Sequence, residues 1–203
     1  MKFREFLTFL RGVRAISKNG YLRECGWFQS YVSKQSVDAK NNPVPWISYS
    51  AIDFLNTRIT KEMTLFEYGS GSSTRWYSER AKKVVCYEHD KVWHENIKFN
   101  IPSNVSLHLK TGDDYFDTTP DEFFSIVVVD GLDRNRCLNS ILKILNDTGI
   151  IIWDDSHRVE YFSSFKKLTQ IGFKRIDFSG LGPLINDKVT TTVFYRQKNC
   201  IGL

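Results

Sequence analysis

Two glycines one residue apart, with an acid just before them, are the clearest candidate for ligand-binding chemistry in the chain. Glu67 ends a short apolar run, and Gly69 and Gly71 follow it ahead of a segment, 75–82, that can be helical. Glycines let the backbone turn with positive φ and let a ligand approach the main chain closely. The N–H groups and the positive dipole end of the following helix then face that ligand. The pattern predicts a nucleotide-type cofactor loop between a strand and a helix.

A second acid stands at the distance expected for a ribose contact. The apolar run at 84–87 ends in Glu88, about 20 residues after the first glycine, where an acid meets ribose hydroxyls in a βαβ unit. A carboxylate that caps a helix N-terminus is the alternative role for Glu88. Thr74 stands where the dinucleotide fingerprint has its third glycine, which argues against NAD or FAD as the ligand.

Polar residues also follow three later predicted strands, at 112–114, 130–133 and 154–158. In an open α/β sheet, ligands bind beyond the carboxyl ends of the strands. Five strands therefore deliver polar side chains to one edge of the sheet, which scattered surface acids would not favour. We expect the active site at this edge.

Four stretches resemble the class I S-adenosylmethionine-dependent methyltransferases, and among them a small bacterial-type subgroup: 66–71, 87–90, 111–114 and 127–131. Their order and spacing match that family from residue 45 to the C-terminus. The resemblance implies that the acid and glycine loop at 67–71 hold the methionine part of the cofactor. It also implies that the acid at 88 binds the ribose.

The resemblance further places Asp113 near the adenine, with Asp114 as the alternative, and His89 could pack beside the same ring. The full set of candidate cofactor residues is Glu67, Gly69, Ser70, Gly71, Ser73, Glu88, His89, Asp113 and Asp130.

Methyl transfer, the reaction that the resemblance implies, is a substitution at the sulfonium methyl carbon. Because the cofactor carries the activated group, alignment of nucleophile and methyl supplies much of the catalysis, roughly 7–11 kcal/mol. A hydroxyl acceptor also needs a base. Asp130, Asp155 and His157 are the candidate catalytic residues, and a histidine ordinarily titrates close to neutrality. A surface or helix-capping histidine is the alternative for His157.

Asp130 with Asp154 or Asp155 could instead hold a divalent cation, which prefers carboxylate oxygens. The sequence offers no clear third ligand, so we do not favour metal dependence. Three arginines near these acids could bind an anionic group of the substrate: Arg134, Arg136 and Arg158.

We therefore expect an S-adenosylmethionine-dependent methyltransferase that modifies an oxygen of a small molecule, a sugar or a glycan. One alternative is a non-catalytic binding protein with the same fold, whose cofactor loop should be damaged. The other is an NAD(P)-dependent oxidoreductase, which should have the third glycine. The intact loop acids and glycines disfavour the first alternative, and Thr74 disfavours the second.

Alternating strands and helices predict a doubly wound, mostly parallel α/β sheet of seven strands. We expect strands at 63–68, 84–88, 104–109, 125–130, 148–154, 173–178 and 190–196, and helices near 45–59, 73–81, 91–99, 134–145 and 158–170. The last two strands have no helix between them, so the last strand should be antiparallel.

Residues 1–44 are predicted to form a helical appendage to a cofactor-binding domain at 45–203, with a polar loop at 38–45 between them. Apolar residues at 2–17 have helical spacing. The stretch 1–24 has six basic and two acidic residues, a net charge of +4. It could lie on an anionic membrane surface, and residues 1–34 could form a homodimer contact or a lid. We favour a helix that packs on its own domain, because this is the usual role of amphipathic helices.

The length of 203 residues suits one domain with an appendage, and a hydrophobic content of 41% supports a packed core. No transmembrane run or signal-peptide pattern is present. The four cysteines lack metal-binding spacing, which favours the reducing cytoplasm. The net charge of +5 lies mostly at the N-terminus, so we expect a small-molecule or glycan acceptor and no nucleic acid.

Overall fold

Within residues 3–203, which a computed structural model describes, strands and helices alternate from Tyr49 onwards. The helices are α1 (Phe3–Lys18), α2 (Tyr21–Glu24), α3 (Trp27–Ser33), α4 (Tyr49–Asn56), α5 (Ser72–Arg80), α6 (Lys91–Ile97), α7 (Asp114–Asp117), α8 (Leu138–Ile144) and α9 (Phe162–Gln170). Short 3₁₀ turns follow α6 at Lys98–Asn100 and precede α9 at Val159–Tyr161.

The strands form one seven-stranded sheet in the order β3-β2-β1-β4-β5-β7-β6. They are β1 (Thr64–Tyr68), β2 (Lys83–Glu88), β3 (Val105–Leu109), β4 (Phe124–Val129), β5 (Leu145–Trp153), β6 (Lys174–Gly180) and β7 (Val189–Tyr195). The pairs among β1 to β5 are parallel, whereas β7 runs antiparallel to both β5 and β6. The predicted doubly wound sheet with an antiparallel last strand is confirmed.

Alternate residues of the central strands enter two separate cores, as the two-residue period of a strand requires. In β1, Phe66 joins the aromatic-rich core beneath α8 and α9, while Leu65 joins the core beneath α4 and α5. The same alternation directs Glu67 to the α4–α5 face. Asp130 and Asp154 follow Val128 and Ile152 of that core by two residues, so the strand pattern directs them to this face as well.

Helices α4 and α8 begin later than the sequence pattern predicts. Helix α4 starts at Tyr49 and not at Pro45, because Ser48 is its N-cap and its side chain accepts a 3.3 Å hydrogen bond from the Ala51 N–H. Helix α8 starts at Leu138 and not at residue 134, since the chain turns first, with Asp133 in the left-handed region at φ 36°.

The appendage attaches to the sheet domain through α2 and α3. Tyr21 Oη donates a 2.7 Å bond to Asp53 of α4, and Trp27 Nε1 donates a 2.6 Å bond to the Ile185 carbonyl in the loop after β6. Helix α1 buries none of its residues, so the interpretation that it packs on its own domain is wrong. The boundary between 44 and 45 stays a prediction. Among the helices of the described chain, none is long and apolar enough to cross a membrane.

Candidate active site

The first glycine of the loop is required by the turn itself. The chain leaves β1 at Tyr68, and Gly69 has a φ of +94°, which side chains rarely allow. A Cβ at this position would also lie 3.0 Å from the Asp130 carbonyl oxygen. The Gly69 N–H donates a 2.8 Å bond to the Tyr87 carbonyl, which holds the turn against β2.

At the second glycine position, neither the backbone conformation nor the neighbouring atoms exclude a side chain. Gly71 has a φ of 167°, in the extended region that any residue adopts. A Cβ here would meet only the Trp93 ring, at an ordinary contact distance of 3.9 Å. Trp93 is held beside the loop by a 2.8 Å bond from its Nε1 to the Ser70 carbonyl. The loop therefore leaves room for a ligand beside the main chain at Gly71.

Glu67 is a buried carboxylate with one oxygen unused. Thr74 Oγ1 donates a 2.6 Å bond to Oε2, whereas Oε1 is buried without a hydrogen-bond partner in the described part of the chain. Burial raises the pKa of Glu67 to about 7, and the Ser73 and Thr74 hydroxyls partly oppose that rise. Such an oxygen is available to accept a hydrogen bond from a bound ligand.

Glu88, buried at the end of β2, accepts hydrogen bonds on both oxygens. Ser70 Oγ donates a 2.6 Å bond to Oε2, and the His89 and Asp90 N–H groups donate bonds of 2.8 and 2.9 Å to Oε1. Asp90 caps α6 by accepting from the Val92 and Trp93 N–H groups, so the alternative that Glu88 is the cap is wrong. Oε2 already takes a hydroxyl donor, the kind of bond that a ribose hydroxyl makes.

The residues predicted near the adenine lie on the rim of the site. The His89 ring lies 3.2 Å from Glu88 through Nδ1 and packs edge-on against Tyr115. Asp113 is exposed and pairs with Arg136 at 2.8 Å, and it forms no side-chain cap on α7. Asp114 is also exposed. Their adenine contacts stay predictions.

Arg134 joins the acids at the ends of β4 and β5. Its Nη2 lies 2.9 Å from Asp130 Oδ1 and 3.5 Å from Asp155 Oδ2, and its Nη1 donates to the Asp154 carbonyl. Burial and the neighbouring Asp154 raise the pKa of Asp130 well above its usual range, against the opposing effect of Arg134. Burial also raises the pKa of Asp154 to about 6, although Thr191 donates a 2.7 Å bond to its Oδ1.

The guanidinium of Arg134 supplies the positive charge between Asp130 and Asp155, where a metal ion was considered. Residues 3–203 contain no group of three or more histidine, cysteine or acidic side chains placed to hold a metal ion. The arginines predicted to bind an anionic substrate group each pair with a carboxylate: Arg134 with Asp130 and Asp155, Arg136 with Asp113, and Arg158 with Asp155. Their pairing leaves that predicted anion site without structural support.

His157 lies in the turn after β5 and is exposed. The turn begins at Asp155, which adopts a left-handed φ of 52°, and Ser156 ties it to β7 through the Thr190 carbonyl. The structure thus brings Asp130 and Asp155 together around Arg134 and leaves His157 on the surface two residues further on. The catalytic roles of all three stay predictions.

Tyr77 lies near the acids at the strand ends, and the sequence analysis did not single it out. Its side chain is fully buried, and its hydroxyl has no hydrogen-bond partner in the described chain. Burial, with the negative charges of Glu67, Asp130 and Asp154, raises its pKa well above the ordinary value. The signal was its spacing of three from Thr74, which places both side chains on the helix face that meets Glu67.

A cavity of about 290 Å³ adjoins the glycine loop on its helical side. Gly71, Thr74 and Trp93 line one part of it, and Val37 and Asn41 of the appendage line another. The acids at 67, 88 and 130 do not line this cavity, although Gly71 of the loop does.

The order and directions of the seven strands match the class I methyltransferase fold. No protein-family model and no curated protein matches the chain. Several solved structures are similar to the chain, at low sequence identity. One is a precorrin 8W decarboxylase from Methanobacterium thermoautotrophicum (TM-score 0.59, 15% identity, covering 80% of this chain and 97% of that one).

Two further similar structures come from streptococci. An rRNA methylase from Streptococcus thermophilus has a TM-score of 0.52 and 16% identity, over 72% of this chain and 95% of that one. A methyltransferase candidate from Streptococcus mutans, in complex with SAH, has a TM-score of 0.52 and 18% identity, over 71% and 95%. At these identities the similarity confirms the predicted fold and carries no activity with it.

Proposed function

We propose that the chain is an S-adenosylmethionine-dependent methyltransferase. The observation that carries the proposal is the buried Oε1 of Glu67, which has no hydrogen-bond partner in the described chain. Thr74 Oγ1 links the same carboxylate to the Gly71 N–H of the loop. A cationic amine, such as that of the methionine part of the cofactor, would donate to Glu67 Oε1 and stabilise the charged carboxylate. The complex of the Streptococcus mutans neighbour with SAH supports the same cofactor class.

The remaining loop residues fit the other parts of that cofactor. Gly69, Ser70 and Ser73 would hold the methionine part together with Glu67, Glu88 would accept the ribose hydroxyls, and His89 and Asp113 would be the residues nearest the adenine. When bound, the cofactor supplies an activated methyl group on a sulfonium. The residues of this chain have only to hold the cofactor and acceptor in line and to remove a proton.

For the proton we propose Asp130, with Asp155 and His157 as the further catalytic candidates. A carboxylate with a raised pKa is a stronger base, and burial beside Asp154 raises that of Asp130. Arg134 holds Asp130 and Asp155 in fixed positions by direct ion pairs. A base of this kind suits an acceptor hydroxyl, so we propose O-methylation.

The acceptor that we propose is a small molecule, a sugar or a glycan. Trp27 of the appendage bonds to Ile185 in the loop after β6, at the edge where ligands bind in this fold. The appendage and that loop would form the wall of an acceptor pocket. All four cysteines are free, which supports a reducing compartment such as the cytoplasm.

Calorimetric titration with S-adenosylmethionine and, separately, with NADH tests the cofactor. We expect micromolar binding of the first and none of the second. Transfer of a labelled methyl group is then screened on hydroxylated small molecules, sugars and RNA. Folded protein that binds no S-adenosylmethionine would contradict the proposed cofactor, and labelling of RNA alone would contradict the proposed acceptor.

A further inference from the structure

Helix α1 presents a large apolar surface that the rest of residues 3–203 leaves uncovered. Its seven large apolar side chains are between 39% and 78% exposed: Phe3, Phe6, Leu7, Phe9, Leu10, Val13 and Ile16. None of the residues in α1 is buried. A water-soluble surface rarely keeps this many large apolar side chains together without a partner.

The apolar and basic side chains of α1 occupy adjoining sectors of the helix. At about 100° per residue, the seven apolar side chains span roughly half of the circumference. Arg4, Arg11 and Lys18 lie together along one border of that half, and Arg14 lies just inside it. Glu5 is the one acidic residue of the helix and falls on the other side.

We propose that α1 is an in-plane membrane-binding helix that recognises an anionic lipid surface. The apolar half would lie at the boundary between headgroups and acyl chains, as in other interfacial amphipathic helices. The basic border would lie among the lipid phosphates, where each arginine or lysine adds electrostatic attraction. The charge of the helix therefore matches an anionic bilayer, and the proposal does not depend on the bound cofactor.

The position of Arg14 favours a bilayer over a second copy of the chain. If two α1 helices buried their apolar halves against each other, Arg14 would be enclosed on the side away from Glu5. A buried, unpaired guanidinium is costly. On a bilayer the same side chain reaches outward to the phosphates while its aliphatic part stays among the apolar groups.

The attachment of α1 allows such binding without disturbing the sheet. The described contacts that tie the appendage to the domain, Tyr21 with Asp53 and Trp27 with Ile185, come from α2 and α3. Helix α1 precedes both of them and is free to cover a surface with its whole apolar half.

Flotation of the full chain with lipid vesicles tests the proposal. We expect binding to vesicles of phosphatidylcholine mixed with phosphatidylglycerol, much weaker binding to phosphatidylcholine alone, and a decrease as salt is raised. The variant F6E places a charge in the centre of the apolar half and should lower vesicle binding at least about tenfold. The variant G12E adds the same charge on the polar side, where nothing lies within 4 Å, and should keep most of the binding.

The oligomeric state, measured by size-exclusion chromatography with light scattering, distinguishes a lipid surface from a second copy of the chain as the partner of α1. A monomer that binds anionic vesicles supports the proposal. A dimer that F6E dissociates, in protein that does not bind vesicles, overturns it in favour of self-association. Equal losses in F6E and G12E, or equal binding to both vesicle types, also overturn it. Unchanged thermal unfolding of both variants verifies that the domain is intact.

Discussion

Thr74 Oγ1 donates a 2.6 Å hydrogen bond to Glu67 Oε2 and accepts a 3.0 Å bond from the Gly71 N–H. One hydroxyl thus joins the end of β1, the glycine turn and the first turn of α5. It fixes the orientation of the carboxylate and satisfies a free N–H at the helix N-terminus. The bond explains why the loop has a threonine where a dinucleotide fingerprint has glycine.

Replacing Glu67 by glutamine should stabilise the protein at alkaline pH. The folded-state pKa of about 7 lies above the ordinary value of 4.5, so burial costs stability as pH rises through this interval. Below this pH interval Glu67 is protonated in both the folded and the unfolded protein, so burying it no longer carries the cost of burying a charge. Glu67→Gln should therefore raise the free energy of unfolding by up to about 3 kcal/mol at pH 8 and change little at pH 4. Chemical denaturation at the two pH values measures the difference.

The exposed Glu62 provides a matched control, since Glu62→Gln makes the same chemical change at the surface. The same Glu67→Gln protein should bind S-adenosylmethionine more weakly, because the amide no longer offers a charge to the amine. A stability gain of equal size at pH 4 and pH 8 would show that the carboxylate charge is not its source.

Replacing Gly71 by arginine should abolish cofactor binding and leave the fold intact. The backbone is extended here and a Cβ meets only Trp93, so the side chain enters open space that we assign to the ligand. Calorimetry with S-adenosylmethionine and thermal unfolding measure the two effects. Gly131→Ala is the contrasting variant, because its Cβ would lie 1.9 Å from the Tyr115 hydroxyl and should destabilise the core. Normal cofactor binding by Gly71→Arg would place the cofactor elsewhere.

The sequence was sufficient for the sheet because strand periodicity is a local property. Glu67, Asp130 and Asp154 continue alternating strand patterns, so their arrival at one edge could be predicted from the topology. The protonation states of these acids could not be predicted, since the pKa of Glu67 depends on its burial beneath α5. Nor could the role of Arg134, because its ion pairs join two strand ends that are distant in sequence. The prediction that α1 packs its apolar face on its own domain was wrong, since amphipathicity does not specify what covers a helix.

Replacing the Arg134 guanidinium by an amide should destabilise the protein. Arg134→Gln leaves the carboxylates of Asp130 and Asp155 without their shared cation. Loss of one partner from a fully buried ion pair costs about 3–5 kcal/mol, and the cost here should be smaller because Asp130 and Asp155 are partly exposed. The loss should be smaller at pH 5 than at pH 8, because Asp130 and Asp154 have raised pKa values and are then more protonated. Urea unfolding at both pH values tests this, and Arg136→Gln, at an exposed pair, should change little.

Asp130 and His157 can be distinguished as bases by their effects on turnover. Asp130 is in the acidic cluster and has a raised pKa, whereas His157 is exposed. Asp130→Asn should therefore lower kcat by about 10²–10⁴, the usual contribution of a general base. His157→Ala should keep its affinity for S-adenosylmethionine and lower kcat to a smaller extent. An equally large loss in His157→Ala would reverse the assignment, since the exposed histidine would then be the base. Unchanged turnover in that variant would remove His157 from the reaction and leave Asp130 as the base.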